Sequence, residues 1–124
     1  MDNQRQRKYQ GSWGRKAEDL AVKLLTDKGY KILDRNFRST FGEIDVVAID
    51  NGTLVFVEVK ARSSNKYGLP EESVNYFKLN KIKKTAEYYL FLHPELPEKM
   101  RIDVVAIELH EDLIISSKII RLDS

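Results

Sequence analysis

The chain has 124 residues, 42% of them hydrophobic, a formal net charge of +2 and no cysteine. These values fit one folded domain with a real core and exclude a disordered chain, which is poorer in apolar residues and carries more net charge. They also exclude disulfides and cysteine-ligated zinc, and no apolar run reaches the roughly 18 residues of a membrane span.

Residues 1–12 lack periodicity and are expected to form a flexible basic tail ahead of a single domain over residues 13–124. The tail is polar and basic without the apolar stretch of a signal peptide, so the expected compartment is the cytoplasm. Ser12 is a candidate cap for a helix beginning near Trp13, and Ala17, Leu20, Ala21, Leu24 and Leu25 recur at helical spacing on one stripe. Glu18 falls at the edge of that stripe, and Gly29 is a suitable stop. Tyr30 to Phe37 reads as a first strand, Ser39 to Gly42 as a turn and Glu43 to Asp50 as a second strand. Asn51-Gly52 is a hairpin signal leading into a third strand, Thr53 to Lys60. That strand is apolar on both faces through Phe56, which predicts a central, covered position. Ala61 to Pro70 reads as a loop. Glu71 to Leu92 reads as a second helix with Ile82, Ala86, Tyr89 and Leu90 inward. Arg101 to Glu108 and Leu113 to Leu122 are a fourth strand and a fifth, the last at an edge. The order helix, three strands, helix, two strands predicts an α/β domain with a mixed five-stranded sheet and flanking helices.

Charge is unevenly spread. Arg5, Arg7, Lys8, Arg15 and Lys16 face only Asp2 in the first 16 residues, and seven bases between Lys60 and Lys84 face only Glu71 and Glu72. Such a chain can present one basic face despite a small net charge, although scattered solvated lysines would give the same count.

The chemistry-bearing segment is Gly42 to Arg62. Glu58 and Lys60 are two apart in a strand and so share a face, at the end where that face turns from apolar to charged. The hairpin brings Asp45 to their neighbourhood. Two carboxylates are suitable hard ligands for Mg²⁺ or Mn²⁺, and a lysine beside them can orient a water or stabilise charge on phosphorus. The same trio also reads as an ion-paired patch, and spacing alone leaves both open. His93 and His110 form no metal pair, and no phosphate-binding loop, dinucleotide fingerprint or serine nucleophile motif is present. The string IDVVAI occurs at Ile44–Ile49 and again at Ile102–Ile107, but Asp103 lacks a following Glu-x-Lys strand and reads as structural, paired with Arg101 or another base.

Asp45 followed by Glu58-Val59-Lys60 resembles the PD-(D/E)XK motif of restriction-endonuclease-like nucleases, with Ile44 where the motif's name has proline. Gly14-x-x-Ala17-Glu18, Arg35-Asn36, Gly42-Glu43-Ile44-Asp45, Val57-Glu58-Val59-Lys60-x-Arg62 and Arg101-x-Asp103-Val104 together resemble the YraN-type family of small bacterial proteins, which are similar to archaeal Holliday-junction resolvases. The resemblance implies a restriction-endonuclease-like core, Asp45 and Glu58 as metal ligands, Lys60 as catalytic lysine and Glu18 as the helix glutamate completing the site. It implies a metal-dependent DNA endonuclease, with branched or repair intermediates as candidate substrates. Arg62, Lys66, Lys78 and Lys81 are the expected nucleic-acid contacts, with Lys83 and Lys84 beside them. A homodimer is one expectation, since a four-way junction needs two symmetric cuts. The competing readings are a non-catalytic nucleic-acid-binding module on this fold and a protein-interaction domain.

Overall fold

The structure, a computed structural model, describes residues 11–63, 76–111 and 113–122. Its elements are α1 (Gly11–Asp27), β1 (Lys31–Arg38), β2 (Glu43–Asp50), β3 (Thr53–Ser63), α2 (Tyr76–Leu92), β4 (Met100–His110) and β5 (Leu113–Arg121). The five strands lie in the order β1-β2-β3-β4-β5, antiparallel except for the parallel pair β3 and β4, which the α2 crossover joins. This is the mixed-sheet αβββαββ core expected from the sequence, with β3 central and β5 at an edge. Among the described residues no helix is long and apolar enough to cross a membrane.

Each face of the sheet carries one helix. Ala17, Ala21 and Leu25 of α1 pack on Val46, Ala48, Val55, Val57, Val59, Val105 and Ile107, while Ile82, Ala86 and Tyr89 of α2 pack on Val47, Leu54, Phe56 and Ile102. Odd and even positions of β3 thus serve opposite cores, which is why this strand is apolar on both faces. α1 is described from Gly11, so Ser12 is a helical residue; the rest of the expected tail lies outside the described residues. At the other end, the Tyr30 amide donates to the Leu25 carbonyl and the Gly29 amide to that of Thr26, with Gly29 at φ +94°. That pair of bonds closes the helix with a left-handed residue that favours glycine and delivers Tyr30 back into the core beside Leu25. β3 runs beyond Lys60 because β4 pairs with it as far as Ser63 opposite Leu109, so Ala61 and Arg62 are strand residues, not the start of the expected loop. The remainder of that loop, with Lys66, and the first residues expected of α2 lie outside the described residues.

The second IDVVAI strand has a structural role. Asp103 is fully buried on the α1 face and accepts from the Tyr30 hydroxyl at 2.8 Å and from Arg101 Nε at 2.9 Å. Arg101 also reaches Asp50 at 2.9 Å and the Tyr30 oxygen at 3.1 Å. The hydrogen bonds to Asp103 hold the Arg101 guanidinium well above its ordinary pKa. Burial, followed by the bond to Asp103, raises the Tyr30 phenol above 10.0, and burial likewise raises Tyr89.

Both phenols therefore keep their protons to higher pH in the folded chain than in the unfolded one. The stability this supplies is complete below pH 10.0 and is lost as pH rises through the folded-state values. Tyr30→Phe should cost about 1 kcal/mol at neutral pH, the scale of one net hydrogen bond, and should flatten the alkaline loss to the part left by Tyr89. Urea unfolding across neutral and alkaline pH measures both effects.

Candidate active site

The site is built where β2 and β3 separate. Their ladder runs from Asp50–Thr53 to Val46–Val57. Past that point the buried Asp45 carboxylate, through Oδ2, accepts the Val59 backbone N–H at 2.8 Å. A side-chain oxygen thus takes a donor that the ladder no longer pairs, as a buried amide requires. The alternation of β2 slips at the same place: Ile44 and Val47, three residues apart, both face α2, while Val46 faces α1. On the other side Asn36, level with Asp45 in the β1 register, takes φ +57°. Asparagine tolerates this left-handed conformation better than most residues. The irregularity in β1 and the turned carboxylate in β2 are parts of one local distortion.

Glu58 shares the α2-facing side of β3 with Leu54 and Phe56, and it is as buried as Asp45, each only 3% exposed. Its charge is met by Lys78 of α2, with Nζ to Oε2 at 3.1 Å. Lys60 follows two residues on, half-buried, where alternation sets it on the same side. The structure thus places Asp45 against the amide of the residue after Glu58, with Lys60 next along the strand and Lys78 from above. Sequence reasoning expects Lys78 as a nucleic-acid contact and does not anticipate its contact with Glu58; the signal for that contact is its place four and eight residues before Ile82 and Ala86, on the inward stripe of α2.

The donor chemistry fits Mg²⁺ or Mn²⁺ held by two carboxylates and completed by water and phosphate, because Mg²⁺ characteristically keeps several waters. Among the described residues no three histidine, cysteine, aspartate or glutamate side chains gather closely enough to hold a metal ion. Glu18 is therefore not gathered with Asp45 and Glu58. It lies on α1 with Oε1 3.9 Å from Arg35, which is itself bonded to Asp19 at 2.8 Å and ties β1 to α1. Arg62 is half-buried in β3 opposite Glu108, and Lys81 is exposed on α2. Lys66 lies outside the described residues.

A family model described as "Uncharacterised protein family UPF0102" matches residues 17–107, close to the span of the motifs from Gly14 to Ile107. A UPF0102 protein of Persephonella marina is 50% identical over 98 residues, covering 77% of this chain and 84% of that protein. One from Thermodesulfovibrio yellowstonii is 53% identical over 95 residues, covering 76% and 83%. One from Caldicellulosiruptor bescii is 52% identical over 95 residues, covering 76% and 80%. Among solved structures, a repair endonuclease from Pyrococcus abyssi is similar over 84% of this chain and 41% of its own, with 21% identity and a TM-score of 0.48.

Two stability experiments follow from the geometry. Asp45→Ala leaves the Val59 amide buried without its acceptor and should cost about 1–3 kcal/mol in urea unfolding, while Asp45→Asn keeps a carbonyl there and should recover most of it. Hydrogen exchange at Val59 reads the same contact: slow in the parent chain and in Asp45→Asn, fast in Asp45→Ala. Lys78→Met leaves Glu58 buried beside one cation fewer and should cost about 1–2 kcal/mol, allowing for the partial exposure of Lys78. Adding Glu58→Gln should then restore part of that loss, which a double-mutant cycle measures.

Proposed function

Because this chain belongs to the uncharacterised protein family UPF0102, a name that assigns no activity, we propose its function from the site: a metal-dependent endonuclease that hydrolyses DNA phosphodiester bonds. The observation that supports this most directly is the Asp45 carboxylate fixed against the Val59 amide, beside buried Glu58 and in line with Lys60. Two buried carboxylates at a separated strand end also suit a phosphoryl-transfer site. Asp45 and Glu58 are the residues that would hold Mg²⁺ or Mn²⁺, which there supplies polarisation of a phosphoryl oxygen and acidification of a water. The Val59 amide holds one oxygen of Asp45 in place. Lys60 offers a positive charge to the phosphate as charge builds on it. Lys78 meets the Glu58 carboxylate and helps to hold it in place. Glu18 stands at Arg35 and is not gathered with Asp45 and Glu58, so it is proposed to join the site from α1 only once metal and nucleic acid are bound; Arg62, Lys66, Lys78 and Lys81 are proposed to contact the nucleic acid. The cytoplasmic placement and a homodimeric form belong to the same proposal.

The Lys78–Glu58 ion pair favours a second reading, a module that binds nucleic acid without cutting it, with the lysine standing where the cation would act.

Incubating the chain with single-stranded, duplex and four-way-junction DNA, with Mg²⁺ or Mn²⁺, separates the two. The nuclease reading expects cutting that Glu58→Ala abolishes with binding largely intact, and that Lys60→Ala slows by roughly 10²–10³, the scale of losing one group that stabilises transition-state charge. Binding that weakens steeply with salt, without cutting under either metal, supports the second reading. Cutting that survives both Asp45→Ala and Glu58→Ala places the chemistry elsewhere.

A further inference from the structure

Outside the site, the most unusual surface of the molecule is the outer side of α2. Phe77, Lys81, Lys84, Tyr88 and Phe91 follow one another at steps of four and three, so they fall within a sector of about 80° and over roughly 20 Å of helix. All five are exposed, Phe77 by 76% and Phe91 by 78%. Large rings this exposed on one side of a helix demand a reason, since exposed apolar patches usually mark an interaction surface.

The β1–β2 turn adds a fourth ring. Phe41 is itself exposed and meets Tyr88 edge-on with centroids 6.2 Å apart, while Phe37 meets Tyr88 from below at 6.3 Å. The turn is seated closely: a Cβ on Gly42 would stand 3.3 Å from Thr85 Oγ1 and 3.7 Å from Lys81 Cβ. The rings of Phe41 and Tyr88 are thereby held together before any partner arrives. Four residues after Phe41 the chain reaches Asp45, and one residue after Phe77 lies Lys78 on Glu58. The stripe therefore begins at the candidate site and leads away from it.

We propose that this stripe binds an unpaired nucleic-acid strand, with bases stacking on Phe41, Tyr88 and Phe91 and phosphates meeting Lys81 and Lys84. Interleaved rings and lysines are what a single strand needs: every base offers a π-face, and its backbone offers one negative charge per nucleotide. An apolar protein partner would fit aliphatic side chains at least as well and would gain nothing from the two lysines. A duplex keeps its bases stacked inside and can use the lysines but not the rings. Resting on the nuclease reading for its use, this makes the substrate a DNA with an unpaired segment next to the cut.

The test measures binding alone, in chelator, with the full chain and fluorescent DNA followed by anisotropy. The probes are an oligothymidylate of about 12 nucleotides and a blunt hairpin duplex of similar length. The oligothymidylate should bind more tightly. Phe41→Leu with Tyr88→Leu, which keeps the surface apolar, should weaken it about tenfold or more and leave the duplex unchanged, while Tyr88→Trp should retain binding. Lys81→Gln with Lys84→Gln should weaken both probes and flatten their salt dependence. The proposal is overturned by an equal or better affinity for the blunt duplex, or by single-strand binding that the leucine pair leaves intact. It is equally overturned if sedimentation shows self-association that Phe91→Ser abolishes, because a second copy then covers the stripe. If cutting depends on Glu58 but the leucine pair binds normally, the stripe fails and the site stands. If the leucine pair loses single-strand binding yet the parent cuts nothing, the stripe stands and the site fails.

Discussion

The Asp45-to-Val59 hydrogen bond is the contact on which the functional half of the molecule depends. A sheet tolerates separated strands only where something else takes the released amides. In this chain β3 continues to Ser63 along β4, while its β2-side ladder ends at Val57. The end of β3 thus has one paired edge and one opened edge, and the first amide past the opening is taken by a carboxylate. Burial of that carboxylate is offset by an amide donor, a charge-assisted bond of the stronger kind. The bond to the Val59 amide thereby ties Asp45 to the residue that follows Glu58.

Two buried acids stand on identical hexapeptides, and their surroundings decide their fates. Asp103 is held by the fork of Arg101 and by the Tyr30 hydroxyl, on a face closed by α1. An arginine that is always charged and bonds in a planar fork is a permanent partner. Asp45 is bonded to main chain, and its neighbour Glu58 is met by one lysine on a flexible stem from α2. A lysine holds a site as a point charge and can move aside at modest cost. The arginine cluster therefore stiffens the α1 face, and the lysine leaves the α2 face the more adaptable of the two.

Much of this was legible in the sequence because periodicity and turn chemistry agree. Ala17, Ala21 and Leu25 lie at helical spacing and are all in the core; Asn51-Gly52, both at positive φ, makes the hairpin; Glu43 and Asp50 bound β2 as read. What was not legible lies where the structure departs from a period. The slip at Asp45, together with Asn36 at φ +57°, arises from three strands meeting, and no window of one strand contains it. The extension of β3 through Ala61 and Arg62 depends on β4, some forty residues away in the chain. Lys78 had a local signal, its place on the inward stripe, but a lysine on a helix is by default a solvated one, and only Glu58 beneath it explains the position.

α2 joins the sheet core to the exposed stripe through its two sides. Its inner side supplies Ile82, Ala86 and Tyr89 to the core and Lys78 to Glu58, while its outer side carries the rings and lysines. The crossover between parallel β3 and β4 places Lys78, near the start of this helix, over Glu58 at the end of β3 where the ladder is open. Any strand lying along the outer side is therefore led toward Glu58 by the same topology that puts Lys78 there. Thr85 lies between the two sides, buried, bonding back to the Lys81 carbonyl at 2.8 Å and standing against Gly42. That contact joins the Phe41 turn, and through it β2 and Asp45, to the middle of the helix. A shift of α2 along the sheet would therefore move Lys78 and the rings of the helix together, relative to carboxylates that stay with β2 and β3.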